Sequence, residues 1–278
     1  MNFLKRAMII ALTGGLMLST ACSGSDSSSS SEPNSNSSET TTTPKAETTS
    51  APETTTTPTT TTRKDPSEYG KVIALSFDDG PNSSTTMDVL DVLEENDIVA
   101  SFFLIGNNIT DATAPSVKRA FDMGCEINSH SLTHSYMTTL KNEEIIAEID
   151  ETASRIVNIT GVEPKFFRPP YISASQRMYD IIDMPFIAGF GCNDWDAKVT
   201  VEQRVEKTLE QARDGAIILL HDAEGNFQTV EAIKQIIPAL KEQGYEFVTV
   251  SDLFYAKGIE DPEAQDIAYN YAEQTYFG

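Results

Sequence analysis

The chain has 278 residues, 42 acidic against 20 basic side chains, a formal charge of -22 at neutral pH and only three histidines. A field of that sign repels nucleic acid and other polyanions at a distance, so a nucleic-acid partner is excluded and a neutral polymer suits the chain better than a strongly anionic one. Three cysteines are too few for a disulfide framework; Cys125 and Cys192 are read as free and buried, with one pairing between them left open.

The chain begins with a short basic region, Lys5-Arg6, and an apolar run, Ala7 to Leu18, too short to span a bilayer comfortably. Leu18-Ser19-Thr20-Ala21-Cys22 then offers a small-residue cleavage site ending in cysteine. Residues 1–21 are therefore expected to be an export signal of lipoprotein type, with Cys22 as the lipid attachment point on the outer face of a bacterial cell membrane; plain secretion is the alternative. Ser19 stands where such a site usually carries an aliphatic residue. Loss of the leader would remove Lys5 and Arg6 but no acidic side chain. Residues 23–62 are almost all Ser, Thr, Pro, Glu and Asn and lack the apolar side chains that offset ordering entropy. They read as a linker, which as a flexible coil would reach roughly 35 Å on average.

The folded region is expected over residues 69–258, as one domain of strand and helix in alternation, leaving 259–278 as an acidic C-terminal tail. Val72 to Leu75 precedes a helix near Thr86 to Glu95, and Ala100 to Ile105 precedes one near Ala114 to Met123. Further short apolar runs lie at Glu126 to Asn128, Phe166-Phe167, Phe186 to Ala188, Ala216 to Leu220 and Phe247 to Val250, about seven strands in all. Ile145, Ile149, Thr152 and Ile156 share a helix face; so do Val201, Val205, Leu209 and Ala212, and so do Val230, Ile233, Ile237 and Leu240. Repeated strand-helix units imply a parallel sheet covered by helices, and polar motifs just after successive strands favour an α/β barrel over an open sheet.

Each motif taken alone has a plain alternative. Ser76-Phe77-Asp78-Asp79-Gly80-Pro81 has good turn chemistry, but two adjacent carboxylates at a strand end also let one bind a metal while its neighbour takes a proton. His130-Ser-Leu-Thr-His134 lets two imidazoles face one ion. With one carboxylate these make a three-ligand set that leaves positions open, as in catalytic rather than structural zinc sites. Such an ion polarises a carbonyl and lowers the pKa of water from about 15.7 towards about 7.

The ordered set Ser-Phe-Asp78-Asp79-Gly-Pro, His130-Ser-Leu-Thr-His134, Arg168-Pro-Pro-Tyr171, Asn-Asp194-Trp195 and Leu219-Leu-His221-Asp resembles the polysaccharide deacetylases, the NodB-like carbohydrate esterase family. The resemblance implies a single distorted (β/α) barrel and metal-dependent removal of acetyl groups from an acetylated polysaccharide. It implies Asp78 as general base held by Arg168, and Asp79, His130 and His134 on one divalent ion, zinc first, with cobalt, nickel or manganese as alternatives. It places the Tyr171 amide at the oxyanion with Pro170 stiffening that segment, Trp195 in the pocket wall and Leu219 at the acetyl methyl. His221 is then the acid, with Asp194 as its partner. Asp222 is assigned no chemistry and is read as a helix cap.

Phe103 to Asn108, Phe167 to Ser173 and Gly191 to Trp195 look most like the acetylxylan esterase branch, with N-deacetylation of peptidoglycan or chitin as the alternative. Gly191 departs from the aspartate that many relatives carry three places before the Asp194 position. A non-catalytic sugar-binding module on the same barrel is a third reading, against which Asp78, Arg168, Asp194 and His221 all argue. A monomer is expected.

Overall fold

The computed structural model describes residues 63–264 and 266–275; the leader 1–21, Cys22 and the linker 23–62 lie outside the described residues. In chain order the strands are β1 (Lys71–Asp78), β2 (Ser101–Leu104), β3 (Glu126–Ser129), β4 (Phe186–Ile187), β5 (Phe190–Gly191), β6 (Ala216–His221), β7 (Tyr245–Phe247) and β8 (Ala268–Tyr269). The α-helices are α1 (Thr85–Glu95), α2 (Ala114–Asp122), α3 (Asn142–Thr160), α4 (Gln176–Ile181), α5 (Val201–Gln211), α6 (Phe227–Glu242) and α7 (Val250–Ala256).

β1 is the axis of the sheet. It pairs in parallel with β6 along Ile73 to Asp78, while on its other edge β7 takes the first residues and β2 the last. β2 continues to β3, and β5 flanks β6. From β3 the ring passes through single bridges, Ser129 to Phe167 and Phe167 to Phe186, into β4, which pairs with β8. This is the expected parallel α/β barrel, distorted where bridges replace ladders.

Alternation along β1 decides what reaches the site. Ile73, Leu75 and Phe77 face the helices and join Leu90, Leu93, Ile233 and Ile237 in the larger core, while Val72 and Ala74 face the interior with Phe103, Ile187 and Ile217. Burial of such side chains contributes about 1.5–3 kcal/mol each. The inner face then turns polar at its C-terminal end with Ser76 and Asp78, and on β6 the same alternation follows Ile217 with Leu219 and His221. Asp78 and His221 are register partners, so two interior positions carry both groups to one rim.

The structure shifts three expected boundaries. Phe166-Phe167 contributes one bridging residue rather than a strand. The last expected strand ends at Phe247, because Thr249 accepts from the Asp252 N–H and opens α7. The segment after Gly258 packs into the domain: Ile267, Tyr269 and Ala272 are buried, and the Ile217 and Ala272 amides bond across to Asn270 and Gly215. The Arg213 guanidinium lies over the rings of Phe190 and Tyr271, 4.4 and 4.2 Å from their centroids. An acidic average composition hid the short apolar alternation around Ile267 and Tyr269.

Candidate active site

Asp78 ends β1 facing the interior, where Arg168 Nη1 donates to its Oδ1 at 2.5 Å. Arg168 is fully buried, lies over the Phe103 ring at 4.0 Å, and donates through Nη2 to Ser76 Oγ at 2.8 Å. Ser76 Oγ in turn donates to the Ile218 carbonyl. Arg168 Nε also donates to the Ile187 carbonyl at 3.4 Å, so each nitrogen of the buried cation has a partner, which offsets part of the cost of burying the pair. The carboxylate is thereby fixed with Oδ2 left toward His130, 3.6 Å from Nε2.

Asp79 turns away from the strand in the left-handed region, φ 75°, and its Oδ1 is buried without a hydrogen-bond partner. That orphaned acceptor lies 3.6 Å from His130 Nε2 and 3.5 Å from His134 Nε2. Ligand atoms about 2.1 Å from an ion at tetrahedral angles are roughly 3.4 Å apart, so the three residues fit one divalent cation. His130 Nδ1 donates to the Arg168 carbonyl at 2.7 Å, which fixes the tautomer and leaves the Nε2 lone pair free. Burial, and then the neighbouring His130, hold His134 below the ordinary histidine pKa, which favours the neutral ligating form. Its loop needs positive φ at both Ser131 and His134, and Glu148 of α3 braces it by accepting the Leu132 and Thr133 amides at 2.8 Å each.

His221 is held at both ends by Asp194: its Nδ1 donates to Oδ1 at 2.8 Å and its backbone N–H to Oδ2 at 2.7 Å. Burial alone would lower the imidazolium pKa, but the hydrogen bond and charge of Asp194, with Asp78 and Asp79 behind it, raise it to about 9. The ring is thus charged at neutral pH with Nε2 free to donate. Asp194 also accepts from Thr229 Oγ1, which accepts from the buried Arg204.

These groups meet in one cavity of about 610 Å³, lined by Asp78, Asp79, His130, His134, Tyr171 and His221 together with Trp195 and Leu219. Trp195 is 66% exposed at its rim, and Pro170 is buried behind Tyr171 at the start of the turn. The expected site residues within the described chain therefore converge, with Arg168 and Asp194 supporting from behind.

A Polysaccharide deacetylase family model matches residues 65–184. A peptidoglycan-N-acetylglucosamine deacetylase of Bacillus cereus is 36% identical over 197 residues, covering 67% of this chain and 90% of that protein. The chain belongs to the polysaccharide deacetylase family. It is 56% identical over 189 residues to a bifunctional xylanase/deacetylase of Pseudobutyrivibrio xylanivorans, covering 68% of this chain but only 31% of that protein's length. Among solved structures, the Xyl-CE4 domain of a multidomain xylanase from the hindgut metagenome of Trinervitermes trinervoides is similar at 51% identity and TM-score 0.70, covering 73% of this chain and 98% of that one. A family 4 acetyl xylan esterase from Clostridium thermocellum, in complex with a cobalt ion, is similar at 38% identity and TM-score 0.72, covering 73% and 100%.

Within this deacetylase domain, sequence reasoning missed the supports. Asp222 is no helix cap, since Asn226 precedes α6; its buried carboxylate accepts from Gly80 N and Thr86 Oγ1 and pins the Asp78-Asp79-Gly80 turn. Burial pushes its pKa up to about 7; the Thr86 hydrogen bond opposes the rise, and the nearby Asp79 and Asp78 charges add to it. Glu148 and Arg204 gave no local signal beyond a charged residue inside a helix pattern. Cys125 and Cys192 are free and buried, as expected.

Proposed function

We propose that this carbohydrate deacetylase is a metal-dependent acetylesterase acting on O-acetylated xylan, exported and held at the outer face of the cell membrane by a lipid on Cys22. The observation that carries the chemistry is an Arg168-held Asp78 and an Asp194-held His221 lining one cavity with the Asp79, His130 and His134 set. A divalent ion in that set, zinc being the first choice for these ligands, supplies positive charge that polarises the acetyl carbonyl and acidifies water. Asp78 Oδ2 accepts a proton from the attacking water as its oxygen bonds to the acetyl carbon. The Tyr171 N–H donates to the oxyanion that forms. His221 Nε2 then protonates the sugar oxygen as the acyl C–O bond breaks, releasing acetate and a free hydroxyl. Leu219 packs against the methyl group, and Trp195 offers the sugar an aromatic wall.

The xylan preference is supported by the xylanase and acetyl xylan esterase relatives and by the chain's acidic character, which suits a neutral polymer. Peptidoglycan or chitin N-deacetylation is the second reading, supported by the Bacillus cereus relative. Acetate release by metal-stripped protein, before and after zinc or cobalt is added, on acetylated xylan, N-acetylglucosamine oligomers and peptidoglycan tests both. Metal-dependent release from xylan alone is expected. Release from the amide substrates alone would replace the first reading with the second, and no release from any by metal-loaded protein would revive a non-catalytic binding module.

A further inference from the structure

The loop that carries His134 does more than present a ligand. His134 and Tyr136, two residues apart, both pack on the ring of Tyr171: the imidazole meets it edge-on at a centroid distance of 4.6 Å, and Tyr136 stacks on it at 3.9 Å with planes 14° from parallel. The gripped segment is strained. Tyr171 sits at φ 59° and ψ 15°, and Ile172 follows at φ 52°. Left-handed backbone is disfavoured for any L-residue and is an outlier for a β-branched one, so two in succession persist only where the surroundings hold them. The turn bonds from Ile172 N to the Pro169 carbonyl and from Ser173 N to the Pro170 carbonyl supply part of that hold. Tyr136 is itself anchored through its carbonyl, which accepts from Thr139 N and Thr139 Oγ1. Both rings are 53% exposed, so burial in the core does not account for the stack.

We propose that Tyr136 is a positioning residue: by stacking on Tyr171 it holds the Tyr171-Ile172 backbone left-handed, which sets the oxyanion N–H, and it keeps the His134 imidazole turned toward Asp79. The functional half of this inference rests on the deacetylase mechanism proposed above; the clamp itself does not. A stack of this geometry shifts an opening equilibrium roughly 2- to 12-fold.

The test compares the full chain with Tyr136→Ala, Tyr136→Leu and Tyr136→Phe. In metal-free protein, amide hydrogen exchange of the peptide spanning residues 168–173 should quicken by that factor in the Ala and Leu variants and stay at the parent rate in Phe. With zinc loaded, kcat on 4-nitrophenyl acetate should fall in Ala and Leu with KM unchanged, and Phe should restore it. Tyr136→Leu keeps bulk without a flat face and covers an Ala variant that melts early. Unchanged exchange in both non-aromatic variants overturns the proposal. A rise in KM confined to the polymer, with kcat on the small ester intact, also overturns it and makes Tyr136 a sugar platform instead. Exchange is read without turnover, so a protein inactive on every substrate would refute the deacetylase mechanism while leaving the clamp measurable.

Discussion

Asp194→Asn removes one charge and almost no volume, and it isolates what keeps His221 protonated. Burial works against the imidazolium, yet its pKa stands near 9 because Asp194 bonds and faces it, with Asp78 and Asp79 adding their charges. At about 1.4 kcal/mol per tenfold change, the rise from an ordinary 6.5 corresponds to roughly 3–4 kcal/mol in favour of the charged ring. In the metal-loaded protein the ion's charge offsets Asp79, and Arg168 already offsets Asp78, so Asp194 carries most of what remains.

Without that charge burial outweighs what is left of the Asp78 and Asp79 fields, and the pKa should fall to the ordinary value or below. At pH 8 the protonated fraction would then drop from most molecules to about 1 in 30. The assay is kcat/KM for acetate release against pH. An acid must be protonated to work, so loss of the His221 proton sets the alkaline limb of the parent profile, and in the variant that limb should move down through neutrality. Stability carries the same sign: a raised pKa contributes stability that is complete below 6.5 and is lost as pH rises through about 9, so the Tm of the metal-free parent should decline over that window and the variant's should decline less. An alkaline limb at the same pH in both proteins, or a loss of equal size at every pH, would refute the assignment of His221 as acid with Asp194 as its charge partner.

Asp79→Ala and His130→Ala should abolish zinc retention, measured as metal content after dialysis, whereas Asp78→Asn should keep the metal and lose most turnover; equal metal loss in all three would merge the roles of the two aspartates. A Cβ at Gly80 would fall 2.5 Å from Asp222 Oδ2, a carboxylate already tied to Gly80 N and Thr86. Gly80→Ala should therefore displace the Asp79 turn and weaken zinc binding about tenfold or more in a competition titration. Ending the chain at Gly258 would expose the partners of Ile267 and Tyr269; at about 1.5–3 kcal/mol per large side chain, that costs roughly 3–6 kcal/mol, a sizeable part of a domain's usual 5–15, and should show as a steep fall in Tm.

What the sequence makes legible here depends on how local the physics is. The run Val72 to Leu75 is apolar because β1 is buried on both faces, and the polar break at Ser76 and Asp78 marks the end of its inner face, so strand and site announce themselves together. Likewise the residues that touch the reaction lie in short motifs directly after strands, since a barrel gathers its strand ends at one rim. The groups that hold them come from elsewhere in the chain. Glu148 reaches the His134 loop from within α3, and Arg204 reaches Asp194 through Thr229 of α6 and through Asn226, so neither has a neighbour in sequence that hints at its task. Short elements escape for a different reason: β5 is two residues, one of them glycine, and its place is set by β6 rather than by any propensity of its own. The start of α7 is the exception, because Thr249 followed three residues on by Asp252 is a capping pattern written in the chain, and the apolar run Phe247 to Val250 masked it. The same division separates the two tyrosines. Tyr171 sits in a motif that names it, whereas Tyr136 gains its meaning only when the barrel brings the loop after β3 against the segment after Arg168.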